Sequence, residues 1–397
     1  MPTVSEPTPT SRHWSDWLLT QRDRLLASPQ FRRWAAMFPF TRPIARRRAR
    51  ELFDLCAGFV YTQVLLACVR LDVFNRLAAR PQTVAELAPQ LGLDEAATAR
   101  LLRAAASLRL AERRGGAQRY GLGPLGAAMI DNPGIVAMVE HHAMLYADLH
   151  DPVALLRGTR STTELGSYWS YARHSSADEL AQSQVQAYTD LMAASQPLVA
   201  AEVLAAYRLN RHRCLLDVGG GNGAFLAAVA ERYPDLPLML FDLPPVAEQA
   251  RQRFDREGLS ERVHVFGGDL RTDALPQGAD VISLVRIIHD HNDDVALGML
   301  QAVRQALPED GVLLLAEPMS DTPGAEPIGD AYFGFYLLAM GQGRPRTPNE
   351  IKMLLNQAGF GDCRLLATRT PLLTRVMVAR PDTAIVKKNS QSTVNQT

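Results

Sequence analysis

The residues best suited to move a proton in this chain are His289 and Glu317, each at the end of an apolar run of strand type. The first run spans Val281 to Ile288 and ends in His289-Asp290-His291-Asn292-Asp293-Asp294; the second, GVLLLAE, closes at Glu317. An imidazole with a carboxylate on a neighbouring strand end suits general-base catalysis, because the carboxylate orients the ring and stabilises the imidazolium. Upstream, Leu216-Asp217-Val218-Gly219-Gly220-Gly221-Asn222-Gly223 lies between another strand signal and a helical pattern. Glycines permit φ > 0 and close approach of a ligand to the backbone, and a helix start offers unpaired N–H groups.

Such a loop suits an adenosine-bearing cofactor without choosing among them, since Gly219, Gly221 and Ala224 also satisfy the dinucleotide pattern G-x-G-x-x-G/A. Asp242 closes the next strand signal, 19 residues past Gly223, and is placed to accept from both ribose hydroxyls. A carboxylate there disfavours a 2′-phosphate, which argues against NADP. Gly267-Gly268-Asp269-Leu270 closes the third strand signal; Asp269 can accept from an adenine amino group while Leu270 packs on the ring. NAD and S-adenosylmethionine both fit these residues. No catalytic Cys or Tyr/Lys dehydrogenase pattern is visible. The HDHNDD run has metal-ligand residue types, but adjacent polar residues on one loop do not converge without distant partners, so no metal is expected. Asp293 or Asp294 is expected to cap the helix that follows.

Five strand signals alternating with helices from about Arg211 predict a parallel α/β sheet, which gathers these strand ends on one edge. Two late segments, CRLLATRT and TRVMVAR, read as an antiparallel hairpin at the sheet edge, followed by a polar tail. Before the sheet the chain divides into an arm (1–50), a helical domain (51–200) and the α/β domain (201–380), with 381–397 as the tail. Residues 51–80 are helical and too apolar to stay exposed on a monomer. Thr83 and Glu86 form a capping box, Gly92 stops that helix, Asp94 caps a second one, and Leu110 to Tyr120 reads as a wing turned at Gly115-Gly116. This predicts a winged helix. A winged helix admits DNA binding through Arg100, Arg103 and Arg109, but few side chains of its second helix reach base edges, so no nucleic-acid partner is expected. Between residues 131 and 205, Tyr146, Tyr168, Trp169, Tyr171 and Met192 lie among His141, His142 and Gln196 on a helical pattern that favours a core.

The chain carries 42 basic and 42 acidic residues, unevenly placed. Residues 1–50 hold ten Arg against Glu6, Asp16 and Asp23, a balance of +7, and interleave them with Trp14, Trp17, Phe31, Trp34, Phe38 and Phe40. This mixture suits a helix lying on an anionic membrane surface; its other reading is a packing arm with solvated arginines. Four well-separated cysteines, Cys56, Cys68, Cys214 and Cys363, argue for a reducing, cytosolic compartment. No signal peptide and no uninterrupted apolar run of 18 residues is visible, so no spanning segment is expected.

With these residues in place, the chain resembles the plant-type, S-adenosylmethionine-dependent O-methyltransferases from about residue 50 to 380. LDVGGGNG, FDLPPV, GGDL, R-x-x-HD and the Gly343 to Thr347 segment G-x-P-R-T occur in that family's order. The resemblance implies a Rossmann-like class I methyltransferase domain preceded by an α-helical, winged-helix dimerisation domain that shapes the acceptor pocket of a homodimer. It implies S-adenosyl-L-methionine held by Gly219, Asp242, Asp269, Leu270 and the basic position Arg286, with His289 as base and Glu317 as its orienting carboxylate. Many plant members have a second catalytic Glu where this chain has Pro345, which leaves orientation to Glu317 alone or to another partner such as Asp290. The arm, the SQPLVA segment and HDHNDD look closest to the bacterial hydroxycarotenoid O-methyltransferases, demethylspheroidene or hydroxyneurosporene type. That branch implies a tertiary hydroxyl on a long polyene as acceptor; Phe333, Phe335, Tyr336, Leu338 and Met340 supply apolar side chains near the expected pocket, with a core role as their other reading. Because such an acceptor is insoluble in water, the basic aromatic arm of an otherwise cytoplasmic enzyme is expected to meet the inner membrane peripherally. The rivals are a phenol or polyketide O-methyltransferase and a regulator that senses the cofactor and binds DNA.

Overall fold

The computed structural model describes residues 12–115, 119–160, 162–169 and 195–382. Tyr171, Met192, Gly116 and the expected polar stretches at either terminus lie outside them. The chain forms two compact units, Met1–Ile130 and Asp131–Thr397.

In the first unit, helices α1 (Arg12–Ala27) and α2 (Pro29–Met37) lead into the long α3 (Arg42–Arg70). The segment read as an arm therefore runs without a break into the first apolar helix. Ser28 accepts from the backbone N–H of Phe31 and Pro29 opens α2, which is why the chain re-enters a helix after one residue. By length and composition α3 is apolar enough to cross a membrane, and 11% of its most apolar window is buried. Asp54, Thr62 and Gln63 interrupt that stretch in the sequence and hid it from a search for an unbroken apolar run. After α4 (Val73–Ala79) come β1 (Gln82–Thr83), α5 (Val84–Leu91), α6 (Glu95–Ser107), β2 (Ala111–Arg114) and β3 (Arg119–Leu122). Thr83 and Glu86 form the reciprocal capping box, Gly92 ends α5 at φ +67°, and Asp94 accepts from Ala97. The strands pair antiparallel in the order β1-β3-β2, so the winged helix is present.

The second unit is built on seven strands: β4 (Leu215–Val218), β5 (Leu238–Asp242), β6 (Val263–Gly267), β7 (Val281–Val285), β8 (Val312–Glu317), β9 (Phe360–Leu366) and β10 (Arg375–Pro381). Their order is β6-β5-β4-β7-β8-β10-β9. The first five are parallel, and β10 pairs antiparallel with both β8 and β9, as the late hairpin predicts. Strand residues alternate between two cores. Leu216, Val218, Ile282 and Leu284 pack on one face with the helices Asp293–Ala306 and Pro348–Gln357. Leu215, Leu240, Val281 and Val285 pack on the other with Ala224–Arg232 and Pro244–Arg256. Burial on both faces is what makes these strands read as continuous apolar runs. The order reverses at β4 and β7, so the carboxyl ends of these two strands open the crevice where an α/β sheet holds ligands.

Candidate active site

The glycine loop leaves β4 and enters the helix Ala224–Arg232 with Gly219, Gly221 and Gly223 all at positive φ. A side chain on Gly219 would run into Ile287, and one on Gly223 into the ring of Phe254. Nothing lies within 4 Å of the corresponding position on Gly221. The first and last glycines thus serve packing and the middle one faces open space. Asp242, at the end of β5, accepts from Gly221 N through Oδ2 and from Leu243 N through Oδ1, each at 2.7 Å. Each oxygen keeps a lone pair for a further donor. Burial pushes this carboxyl up to about 6, against the two backbone donors. Asp217 is buried beneath the loop. Its Oδ1 accepts from Ser283 Oγ at 2.5 Å, while Oδ2 has no hydrogen-bond partner among the described residues. Burial, aided by the charge of Asp242, pushes Asp217 up to about 7.

Past β6, Asp269 is held by Arg271 through both oxygens, the shortest contact 2.7 Å, and by the Arg271 backbone N–H at 2.9 Å. Burial works against its charge, but these donors hold the carboxyl below its ordinary range. The sequence assigns Asp269 to an adenine amino group and contains no signal that its neighbour two residues on would occupy it. Leu270 packs part-buried on the core beneath.

The turn after β7 carries His289. Arg286 bends it at φ +59°, a conformation that costs a non-glycine residue roughly 1–3 kcal/mol and marks a constrained site. Its guanidinium donates to Ser195 Oγ at 2.8 Å and to Gln196 Oε1, at the start of the helix over 195–206. Glu317 is 1% exposed, and its Oε1 accepts from the N–H groups of Ile287 and Ile288 at 2.9 and 2.8 Å. Its other oxygen meets Nδ1 of His289, so one carboxylate fixes both the turn and the ring. Asp290 faces the other ring nitrogen, Nε2, at 3.1 Å. Burial disfavours a charged ring here, but Asp290 and Glu317 outweigh it and raise the pKa of His289 above its ordinary value.

The sequence reading missed the residue that clamps this turn. Arg346, 2% exposed, donates to the carbonyls of Ile288 at 2.6 Å and His291 at 2.7 Å, and through Nε to Asp293 at 2.8 Å. Asp293 is thereby committed to arginines, and the helix Asp293–Ala306 takes Asn292 as its N-cap instead of the expected aspartates. Among the described residues no group of three His, Cys, Asp or Glu side chains could hold a metal ion.

Aromatic side chains wall the site. A π-helical turn, Pro327–Phe333, runs into the helix Gly334–Met340 and sets Phe333 edge-on to the His289 ring, 6.1 Å between centroids. Behind it, Trp169 Nε1 donates to the Tyr336 hydroxyl at 2.9 Å, and that hydroxyl meets Nε2 of His141 at 2.6 Å. His142 and Tyr332 pair at 2.8 Å. Burial lowers His141 to about 4, so the ring is neutral at physiological pH. Tyr336 and Met340 are core residues, whereas Phe333, Phe335 and Leu338 stay partly exposed.

A cradle for a nucleoside beside a carboxylate-held histidine invites comparison with known enzymes. Residues 146–361 match the O-methyltransferase domain, and residues 53–132 the O-methyltransferase dimerisation domain. The chain belongs to the O-methyltransferase family. This O-methyltransferase is 45% identical to demethylspheroidene O-methyltransferase of Cereibacter sphaeroides over 363 residues, 91% of this chain and 95% of the relative. It is 43% identical to the enzyme of the same name from Rhodobacter capsulatus, over 86% of this chain and 84% of that one. Among solved structures, human N-acetylserotonin methyltransferase in complex with SAM superimposes with a TM-score of 0.70 at 26% identity, covering 85% of this O-methyltransferase and 98% of that chain.

Proposed function

We propose that this O-methyltransferase methylates a tertiary hydroxyl of a hydroxycarotenoid of demethylspheroidene type, using S-adenosylmethionine, as a homodimer in contact with the membrane that holds its substrate. The observation that carries the substrate reading is the 45% identity to demethylspheroidene O-methyltransferase across nearly the whole of both chains. The cofactor fits the cradle: Gly221 leaves room for it, and both oxygens of Asp242 keep a lone pair for a ribose diol. Gly219 and Leu270 would line it, and Arg286 would fix the turn above it. Asp269 would serve the adenine only if Arg271 shares or releases its carboxylate.

When bound, the cofactor supplies a methyl group on a sulfonium, an electrophile open to in-line attack by an oxygen. The chain's own work is to align that oxygen and remove its proton. Alignment is worth about 7–11 kcal/mol and a positioned base about 10²–10⁴-fold. Glu317 holds Nδ1, so Nε2 of neutral His289 is the nitrogen that takes the proton as the new bond forms. Asp290, beside Nε2, stabilises the resulting imidazolium and stands in for the glutamate that Pro345 replaces. The hydroxyls of Tyr332 and Tyr336 are already hydrogen-bonded to histidines, so the wall offers an acceptor mainly aromatic edges. That suits a polyene end better than a polyhydroxylated phenol.

Incubation with methyl-labelled S-adenosylmethionine and either a hydroxycarotenoid or a panel of phenols tests the proposal. Label in the carotenoid methoxy group is expected; label in the phenols alone would transfer the enzyme to the phenol class.

A further inference from the structure

We infer that α1 and α2 form a docking surface for an anionic lipid bilayer, with a defined set of aromatic residues entering it. This rests on the reading of the acceptor as a membrane-dissolved polyene, and its structural basis is separate from the catalytic residues. The matched family domains begin at residue 53, and the human relative is covered over 98% of its length by only 85% of this chain. The arm thus precedes the matched dimerisation domain.

At 100° per residue, Trp14, Trp17, Leu18 and Leu25 fall on one stripe of α1, all exposed, with Arg22 and Arg24 on opposite flanks. In and after α2, Phe31, Trp34, Phe38 and Phe40 touch in succession, with ring centroids 5.7, 4.9 and 5.7 Å apart. Phe40 is 83% exposed and Trp14 76%. A run of aromatics in contact with one another, with Trp34, Phe38 and Phe40 still facing solvent, is unusual on a protein that meets only water. Tryptophan belongs at the boundary between headgroups and acyl chains, and arginine reaches the phosphates around it.

Charge selects the occupant. Residues 12–50 hold ten arginines against Asp16 and Asp23. Among the described residues the ion pairs of this segment are Arg22–Asp23 and Arg47–Glu51, so Arg32 and Arg33 beside the aromatic run have no carboxylate partner. A second copy of the arm would repel the first. The exposed apolar residues Phe53, Leu55 and Phe59 of α3 lie inside the matched dimerisation domain and are left to the partner protomer. An anionic bilayer satisfies both the arginines and the aromatic run.

Three of the four tryptophans, Trp14, Trp17 and Trp34, lie on this surface, and the fourth, Trp169, is buried. The full-length protein is titrated with vesicles of phosphatidylglycerol mixed into phosphatidylcholine, or of phosphatidylcholine alone, and followed by tryptophan emission and co-sedimentation. A blue shift is expected with the anionic vesicles, with binding at least about tenfold stronger than to neutral ones and weakened by salt. Arg32→Glu with Arg33→Glu should cost about tenfold or more on anionic vesicles. Trp14→Ser with Trp34→Ser should shrink the shift. Equal binding by wild type and the double glutamate variant would overturn the inference. So would a shift produced by protein concentration without lipid, which would assign the surface to a second copy. Methylation of an acceptor in detergent micelles by the double glutamate variant should match wild type. No methylation there by either protein would count against the proposed function and leave the lipid result standing.

Discussion

Asp290 stands 3.1 Å from Nε2 of His289, on the ring edge opposite the one held by Glu317. In the proposed mechanism His289 takes its proton on that edge, so the same carboxylate would both guard the nitrogen and tune it. The ring has to be neutral to accept a proton, and its pKa is raised above the ordinary value. Activity is therefore full above the raised pKa and lost as pH falls through it. Asp290→Asn removes one of the two raising charges, so the acidic limb of the kcat profile should move to lower pH. A profile that stays in place would show that Asp290 does not tune the base.

His289→Ala should leave cofactor affinity within about twofold of wild type and lower turnover by at least about 10²-fold. Calorimetric titration with S-adenosylmethionine and single-turnover assays separate the two quantities. Wild-type turnover in this variant would sink the assignment of the base.

Asp242→Ala should weaken S-adenosylmethionine about 10–100-fold, the range for losing hydrogen bonds to a charged acceptor. The variant also frees the N–H of Gly221, so circular dichroism should accompany the dissociation constant. An unchanged constant in a folded protein would remove Asp242 from the cradle.

Arg346→Lys should destabilise the protein by about 1–3 kcal/mol, because an ammonium cannot satisfy the carbonyls of Ile288 and His291 and the carboxylate of Asp293 with one planar fork. Its kcat should fall more than its KM for the cofactor rises, since Arg346 touches the turn that carries His289 and no residue of the glycine loop. Denaturant melts and steady-state kinetics check both halves.

Asp217 gives a stability signature of unusual sign. Its folded pKa is raised from 3.8 to about 7, so its contribution is fully present below the unfolded value and is lost as pH rises through about 7. Asp217→Asn abolishes that dependence. Without cofactor, the melting temperature of the variant relative to wild type should rise between about pH 5 and pH 8. A constant difference across that range would contradict the raised pKa.

The sequence made legible what depends on position along a strand. Asp242, His289 and Glu317 each close an apolar run, and a parallel sheet brings such ends to one edge whatever else the chain does. The capping box at Thr83 was readable because its partners are three residues apart. Arg346 was not, since its work is done on backbone carbonyls 55 and 58 residues away, and carbonyls leave no mark in a sequence. Asp293 fails to cap its helix for the same reason: distant arginines claim its carboxylate, and Asn292 holds the cap position without a side-chain hydrogen bond to the helix. The taking of Asp269 by Arg271 is local but conformational, and residue types alone do not specify it.

Gly219 has no room for a side chain because Ile287 fills the space, and Ile287 is tied by its N–H to Glu317. The cradle and the base-bearing turn are therefore interlocked parts that cannot drift independently. Retargeting this enzyme to a new acceptor should begin elsewhere, at Phe335 and Leu338, which stay partly exposed and take no part in that lock. A family built this way can exchange one acceptor for another while its methyl-transfer geometry stays as it was.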